Sequence, residues 1–149
     1  MISHDEFKQA KSFIYSDIER EINLAKKGNS AGNLLCALAL LCYTEFAGKL
    51  IYGHKGKSCC TKNFNGFFDN YLGGEYKRFR QKHKKIYEIL RCGMAHGYFP
   101  QKNCTIAMLG KKSLGMKFEK DRYFFVIERY FEDFKKAFNK LEEDIFNIA

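Results

Sequence analysis

The sequence predicts an all-α fold, a bundle of about five helices with a small β-hairpin before the last of them, and three observations carry that prediction. Proline occurs once in 149 residues, at Pro100, so almost nothing interrupts a helix. Apolar residues recur at steps of three and four at both ends of the chain, which is the period of a helix face. Glycines and asparagines fall between those stretches, where helices stop. A chain of this length fills about one domain of ~150 residues. Apolar residues make up 46% of it, enough for a core, and a single helical domain over 1–149 is expected.

Ser3 followed by Glu6 is a capping box, and Phe7, Ala10, Ile14, Ile18, Ile22 and Ala25 then form the stripe of a first helix. Gly28 and Asn29 end it, and Ser30 is placed to cap the second, which runs through LLCALALLCYTEFAGKLIY to Gly53. Apolar nearly all round in its first half, that helix belongs at the centre of a bundle. His54 to Lys62 is expected as a loop. Phe64, Phe67, Phe68, Tyr71 and Leu72 form a short helical face ended by Gly73 and Gly74. A fourth helix starts near Glu75 on a stripe of Tyr76, Phe79, Ile86, Leu90 and Met94, and frays by Gly93 or Gly97.

CTIAML and LGMKF, separated by Gly110, Lys111, Lys112 and Ser113, are expected to pair as the hairpin, with Gly115 weakening the second strand. Asp121 is placed to cap the last helix, whose stripe is Phe124, Ile127, Phe131, Phe134, Phe138, Leu141, Ile145 and Ile148. Such a seam suits either the protein's own bundle or a partner helix.

Twenty-six Lys and Arg against seventeen Asp and Glu leave a formal charge of +9, which favours polyanionic partners. MISHDEFKQA has no apolar run of the kind a secretory signal needs. The most apolar stretch, Leu34 to Cys42, is far shorter than the ~20 residues of a membrane span. A cytoplasmic protein without a membrane anchor is expected, its six cysteines reduced.

Two places stand out chemically. Glu45 falls among Leu34, Leu38 and Leu41 on the wheel of the second helix, with Lys49 one turn further along the same side. Either the two form an i, i+4 pair worth ~0.2–0.5 kcal/mol, or the carboxylate faces a polar site, since a charge is costly to bury alone. The second place is LRCGMAHGYFP, where Arg91 and His96 stand five positions apart beside Gly93, Gly97 and Pro100. On an ideal helix five steps turn two side chains ~140° apart, so they share a target only if the helix bends or a second copy contributes. Imidazole moves protons near neutral pH, and guanidinium is a permanent fork for phosphate oxygens.

Arg91-Cys92-Gly93-Met94-Ala95-His96 resembles the R-x4-6-H motif of HEPN domains, with Tyr87 upstream and Gly97-Tyr98-Phe99 directly after the histidine. The likeness extends over Ser3 to Phe99: two long early helices, a polar Glu45 on the second, and the Arg/His motif late in the chain. The resemblance implies a homodimer in which two motifs line a basic cleft and bind RNA or a nucleotide. It also implies a metal-independent endoribonuclease of toxin or defence type, leaving 2′,3′-cyclic phosphate ends and needing no cofactor. Arg91 and His96 would be catalytic; Glu45, Lys49, Tyr98 and Cys92 would support them. An antitoxin or a nucleotidyltransferase is the kind of partner implied. The position after the arginine is commonly Asn, Asp or His in active members, and Cys92 stands there instead. A non-catalytic module that holds nucleic acid or nucleotide is therefore the alternative, beside a helical dimerisation protein using the 124–148 seam.

Lys77, Arg78, Arg80, Lys82, Lys84 and Lys85 make a basic run upstream of the motif, either a solvated helix face or a track for a nucleic-acid backbone. Lys55, Lys57, Lys62, Lys111 and Lys112 add charge, and Tyr71, Tyr76, Tyr98 and Phe99 are candidate stacking surfaces, although aromatics at helical spacing also suit a core. Cys92, His96 and Cys104 with Cys59, Cys60 and His54 are the material of a zinc site, but no C-x2-C pair supports one. The plain readings are Arg91 as a cation at a helix end and His96 as a donor to frayed carbonyls.

Overall fold

Ser3 does what its box requires: its hydroxyl accepts from the Glu6 backbone N–H, and the Glu6 carboxylate accepts from the Ser3 N–H. Helix α1 (His4–Lys26) follows, burying Phe7, Ile14, Ile18 and Ile22. In this computed structural model residues 2–110 and 114–148 are described. Helix α2 (Asn33–Tyr52) starts after Gly32 without a side-chain cap, so Ser30 plays no such part. Glu21 of α1 secures the start instead, accepting from the Gly32 N–H at 2.9 Å.

Helix α2 is central. Cys36, Ala37, Leu40, Leu41, Ala47 and Gly48 are buried against its neighbours. Its 20 residues and mean hydropathy of 1.7 would by length and composition suffice to cross a membrane, a longer apolar helix than the nine-residue stretch suggests. Here α3 (Cys59–Asn70) and α6 (Ile127–Phe146) pack on it. Gly48 lets α3 come close: a Cβ there would stand 1.8 Å from the Asn63 carbonyl oxygen. Within the core, Thr44 Oγ1 donates to the Leu40 carbonyl at 2.8 Å and takes the Tyr130 hydroxyl at 2.8 Å.

The seam of α6 is intramolecular. Phe131, Phe134, Phe138 and Leu141 are fully buried, with Phe138 stacked on Phe7 at 4.8 Å and Phe134 against Phe67 at 5.8 Å. The partner-helix use of these positions is thereby excluded in the folded chain.

Three expectations need correction. The loop at 54–62 is shorter than expected, because Cys59 already begins α3. The fourth helix is broken: α4 (Gly74–Lys82) ends at His83, a turn follows, and a π-helical segment (Tyr87–Cys92) leads into α5 (Gly93–Gly97). The break has a tertiary cause, since the His83 ring leaves the helix to sit between Phe79, Phe118 and Tyr123, with Nδ1 3.1 Å from the Tyr123 hydroxyl.

The third correction concerns the hairpin. Strands β1 (Cys104–Ala107) and β2 (Met116–Glu119) do not pair with each other. Between them lies β3 (Arg122–Val126), parallel to β1 and antiparallel to β2. The tight turn is Lys120-Asp121, both at positive φ, the geometry of a two-residue hairpin loop. Asp121 therefore caps no helix and Phe124 lies in a strand. Lys111, Lys112 and Ser113 of the expected turn lie outside the described residues. Gly115 is needed for contact: a Cβ there would meet the Tyr130 backbone at 2.5 Å.

Gly48→Ala should cost the ~1–3 kcal/mol of an overpacked contact, read as a lower urea midpoint with unchanged slope. Glu142, buried between α1 and α6, supplies a pH test. Burial opposes its charge, but Lys11 at 2.5 Å and His4 at 2.9 Å hold its carboxyl below the usual 4.5. Because the folded value lies below the unfolded one, this stabilisation is present above about 4.5 and disappears as pH falls through the folded value. Glu142→Gln should flatten the loss of stability between roughly pH 6 and 3, followed by urea midpoints across that range.

Candidate functional site

The carboxylate of Glu45 joins α2 to the π-helical segment. From the π-helical segment, the Tyr87 hydroxyl donates to its Oε2 at 3.0 Å and Arg91 Nε lies 3.1 Å from the same oxygen. The Arg91 contact is an ion pair without hydrogen-bond alignment, for Nε has no hydrogen-bond partner. Residues four apart share a helix face, which lets Tyr87 and Arg91 reach one acceptor, and the guanidinium also lies over the Tyr87 ring at 5.8 Å. On α3, the exposed Cys60 thiol is pushed up to about 11, chiefly by the Glu45 carboxylate, with the adjoining Cys59 and burial adding to the effect. Burial works against the Arg91 charge; Glu45 and Tyr87 outweigh it and raise the guanidinium above its ordinary value.

The side chains of Glu45 and Arg91 are only 18% and 21% exposed, so neither charge is left to water and each needs the other. Lys49, exposed in the last turn of α2, makes no ion pair with Glu45. The local i, i+4 pair is replaced by a long-range one.

The widened turn at Arg91 has a backbone explanation. The Gly93 N–H reaches the Glu88 carbonyl, which leaves the Ile89 carbonyl to accept from the Gln101 N–H at 2.9 Å. The chain after the motif thus folds back onto the segment that carries Arg91. Gly93 is required at this contact: a Cβ would meet Gln101 N at 2.8 Å and the Phe99 carbonyl oxygen at 2.9 Å. π-Bulges of this kind are frequent at functional sites.

Beyond Gly93 the character of the segment changes. His96 is exposed, and Tyr98 takes a left-handed backbone with φ 67°. Tyr98 and Phe99 are the exposed aromatics of the region, 68% and 62%, and pack edge to face at 4.9 Å. Arg91 therefore faces Glu45 while His96 faces solvent, and no contact joins the two within one chain. Cys92 is half-buried beside them.

The basic run is divided. Arg80 forks onto Asp69 with Nε and Nη2 at 2.5 Å, a structural ion pair between α4 and α3. Lys77, Arg78, Lys82, Lys84 and Lys85 are exposed. Of these, Arg78 and Lys82 share a face of α4 that looks across a cleft at Lys117 and Phe118 of β2. Tyr76 is no stacking surface: it is 1% exposed and its hydroxyl donates to Asp133 while accepting from the Gly115 N–H. Lys55, Lys57 and Lys62 are exposed. Among the described residues all six cysteines are free, and no group of three or more His, Cys, Asp or Glu is placed to hold a metal ion.

Compared with protein-family models, with curated proteins and with solved structures, the chain matches none. Sequence reasoning placed Glu45 and Arg91 separately and did not join them. The usable signal was Tyr87 and Arg91 four apart, facing an inward carboxylate that lacked a partner on its own helix. The influence of Glu45 on Cys60 had no signal, since His54 to Lys62 reads as loop.

The hub can be tested chemically. Glu45→Gln removes the largest of the influences that raise the Cys60 thiol, so Cys60 should be alkylated by iodoacetamide several-fold faster near pH 8, on the order of the thiolate fraction regained. An unchanged rate, by peptide mass mapping, would show that Glu45 does not govern the Cys60 thiol.

Proposed function

We propose that this chain is a HEPN-like RNA-binding protein and a metal-independent endoribonuclease of toxin or defence type, acting as a homodimer in the cytoplasm. The observation that carries the reading is the motif's arrangement: a guanidinium held by Glu45 and Tyr87, then an exposed imidazole, then an exposed aromatic pair, all between positions 87 and 99.

In the reaction the ribose 2′-oxygen bonds to the adjacent phosphorus and the P–O5′ bond breaks, giving a 2′,3′-cyclic phosphate and a 5′-hydroxyl. His96 of one copy accepts the 2′-OH proton, and protonated His96 of the other donates to the departing O5′. Arg91 stabilises the charge that builds on the phosphorane oxygens. Glu45 is a positioning residue acting through Arg91, and Lys49, Cys92 and Tyr98 border the cleft. Such a toxin would be held in check by an antitoxin or a nucleotidyltransferase-type partner.

A second reading, the same fold binding RNA or a nucleotide without cutting it, is favoured by one observation. Cys92 brings a half-buried thiol to the position after the arginine, which is commonly Asn, Asp or His in active HEPN domains.

Wild-type protein incubated with RNA in EDTA should yield 2′,3′-cyclic phosphate ends. His96→Ala, shown folded by circular dichroism, should cut ~10²–10⁴-fold more slowly. Equal cleavage by the two would remove His96 from the chemistry. Salt-dependent binding with no product would select the binding module.

A further inference from the structure

Phe118 is an unusual residue for its place. It sits on β2 and is 39% exposed, yet it is braced from behind: the His83 ring lies 4.8 Å away and the Tyr123 ring 4.7 Å away. His83 and Tyr123 are themselves joined at 3.1 Å. The brace holds Phe118 in one orientation with the remaining surface open.

Two clefts meet at this ring. One, of about 310 Å³, lies between α4 and β2 and is lined by Arg78, Phe79, Lys82, His83 and Lys117 as well as Phe118. The other, of about 290 Å³, lies on the far side, lined by Lys102, Asn103, Asp121 and Tyr123 with Phe118 again. Phe118 is the lining residue that the two clefts share, one reaching α4 and the other Lys102 and Asn103 ahead of β1. Arg78 and Lys82 form no ion pair among the described residues, whereas Lys117 is paired with Glu119. Glu75 in the first cleft and Asp121 in the second are their carboxylates.

We propose that the paired clefts astride Phe118 are a binding track for unpaired RNA, with a base stacked on Phe118 and backbone phosphates on Arg78 and Lys82. The proposal rests on the reading of the protein as RNA-binding and needs nothing of cleavage. A rigid aromatic face flanked by cations is what single strands recognise, since every base has a stacking face and every linkage a charge. A duplex hides those faces and offers only its backbone. An acidic peptide would use the cations and leave the ring without a role. The residues come from α4, β2 and the stretch before β1, none of them in the Arg91 and His96 segment.

The test uses a fluorescent 2′-O-methyl oligouridylate, which lacks the attacking hydroxyl and so reports binding alone, by anisotropy with the wild-type chain. Phe118→Ala should bind ~5- to 100-fold more weakly, and Phe118→Trp should restore binding. Arg78→Gln with Lys82→Gln, both on the surface, should reduce the slope of log affinity against log salt by about 1.4. Wild-type-like binding by folded Phe118→Ala would overturn the track and leave the RNA reading standing, as would an unchanged salt slope in the double variant. Duplex binding as tight as single-strand binding, or equal competition by polyglutamate, would also overturn it. No binding by wild type at all would remove the RNA reading and this one together, while the His96→Ala cleavage assay reports on the Arg91 and His96 site separately.

Discussion

A carboxylate cannot be taken out of water without donors to replace it, and Glu45 is the point where this constraint organises the molecule. Its own helix supplies none, because Lys49 turns to solvent. Its partners come from the π-helical segment: the Tyr87 hydroxyl donates to it and the Arg91 guanidinium pairs with it. Satisfying one charge therefore fixes the π-helical segment against α2, although Tyr87 and Glu45 stand 42 positions apart. The same requirement fixes where Arg91 points. Its neighbour Gly93 then yields the Ile89 carbonyl to Gln101, so the returning chain is locked against the segment that holds the guanidinium.

How much of this was legible follows from whether the cause was local. The Ser3 and Glu6 cap, the α1 stripe and most of the α6 stripe depend on neighbours within a few residues, and the sequence shows them plainly. The break at His83 does not, because the ring leaves the helix for Phe118 and Tyr123, some forty positions away in the chain for the latter. The start of α6 was misplaced for a different reason. Phe124 continues the three-and-four spacing of Ile127 and Phe131, yet Tyr123, Phe124, Phe125 and Val126 are also strong strand formers. Two strands waiting to be paired decided the matter in favour of β3.

The candidate site was legible as anomalies and not as contacts. Glu45 was visible as a charge in an apolar stripe, and Arg91 with His96 as polar residues beside two glycines. Their relation was hidden, since it depends on a turn one residue wider than an α-helix can show on a wheel. The basic run was likewise visible as a run only. Asp69 removes Arg80 from it, and the packing of β2 against α4 selects Arg78 and Lys82 from the rest. A charge count identifies the kind of partner; tertiary packing decides which cations meet it.

The divergence of Arg91 and His96 within one chain bears directly on the number of copies a cleavage reaction would need. In an in-line displacement at phosphorus the attacking and departing oxygens lie on opposite sides, so one fixed imidazole does not reach both. Of the other histidines, His4 is held by Glu142 and His83 by Tyr123, while the exposed His54 stacks on Tyr52 at 5.8 Å, at the far end of α2 from its start. In the proposed reaction, the second imidazole would be a second His96. The exposure of His96 and of Tyr98 and Phe99 leaves this surface open to another copy. Arg91 has its Nε turned to Glu45, and a guanidinium carries further N–H donors on its terminal nitrogens. Those donors, held in place by the pair with Glu45, are the ones a phosphate between two copies would meet.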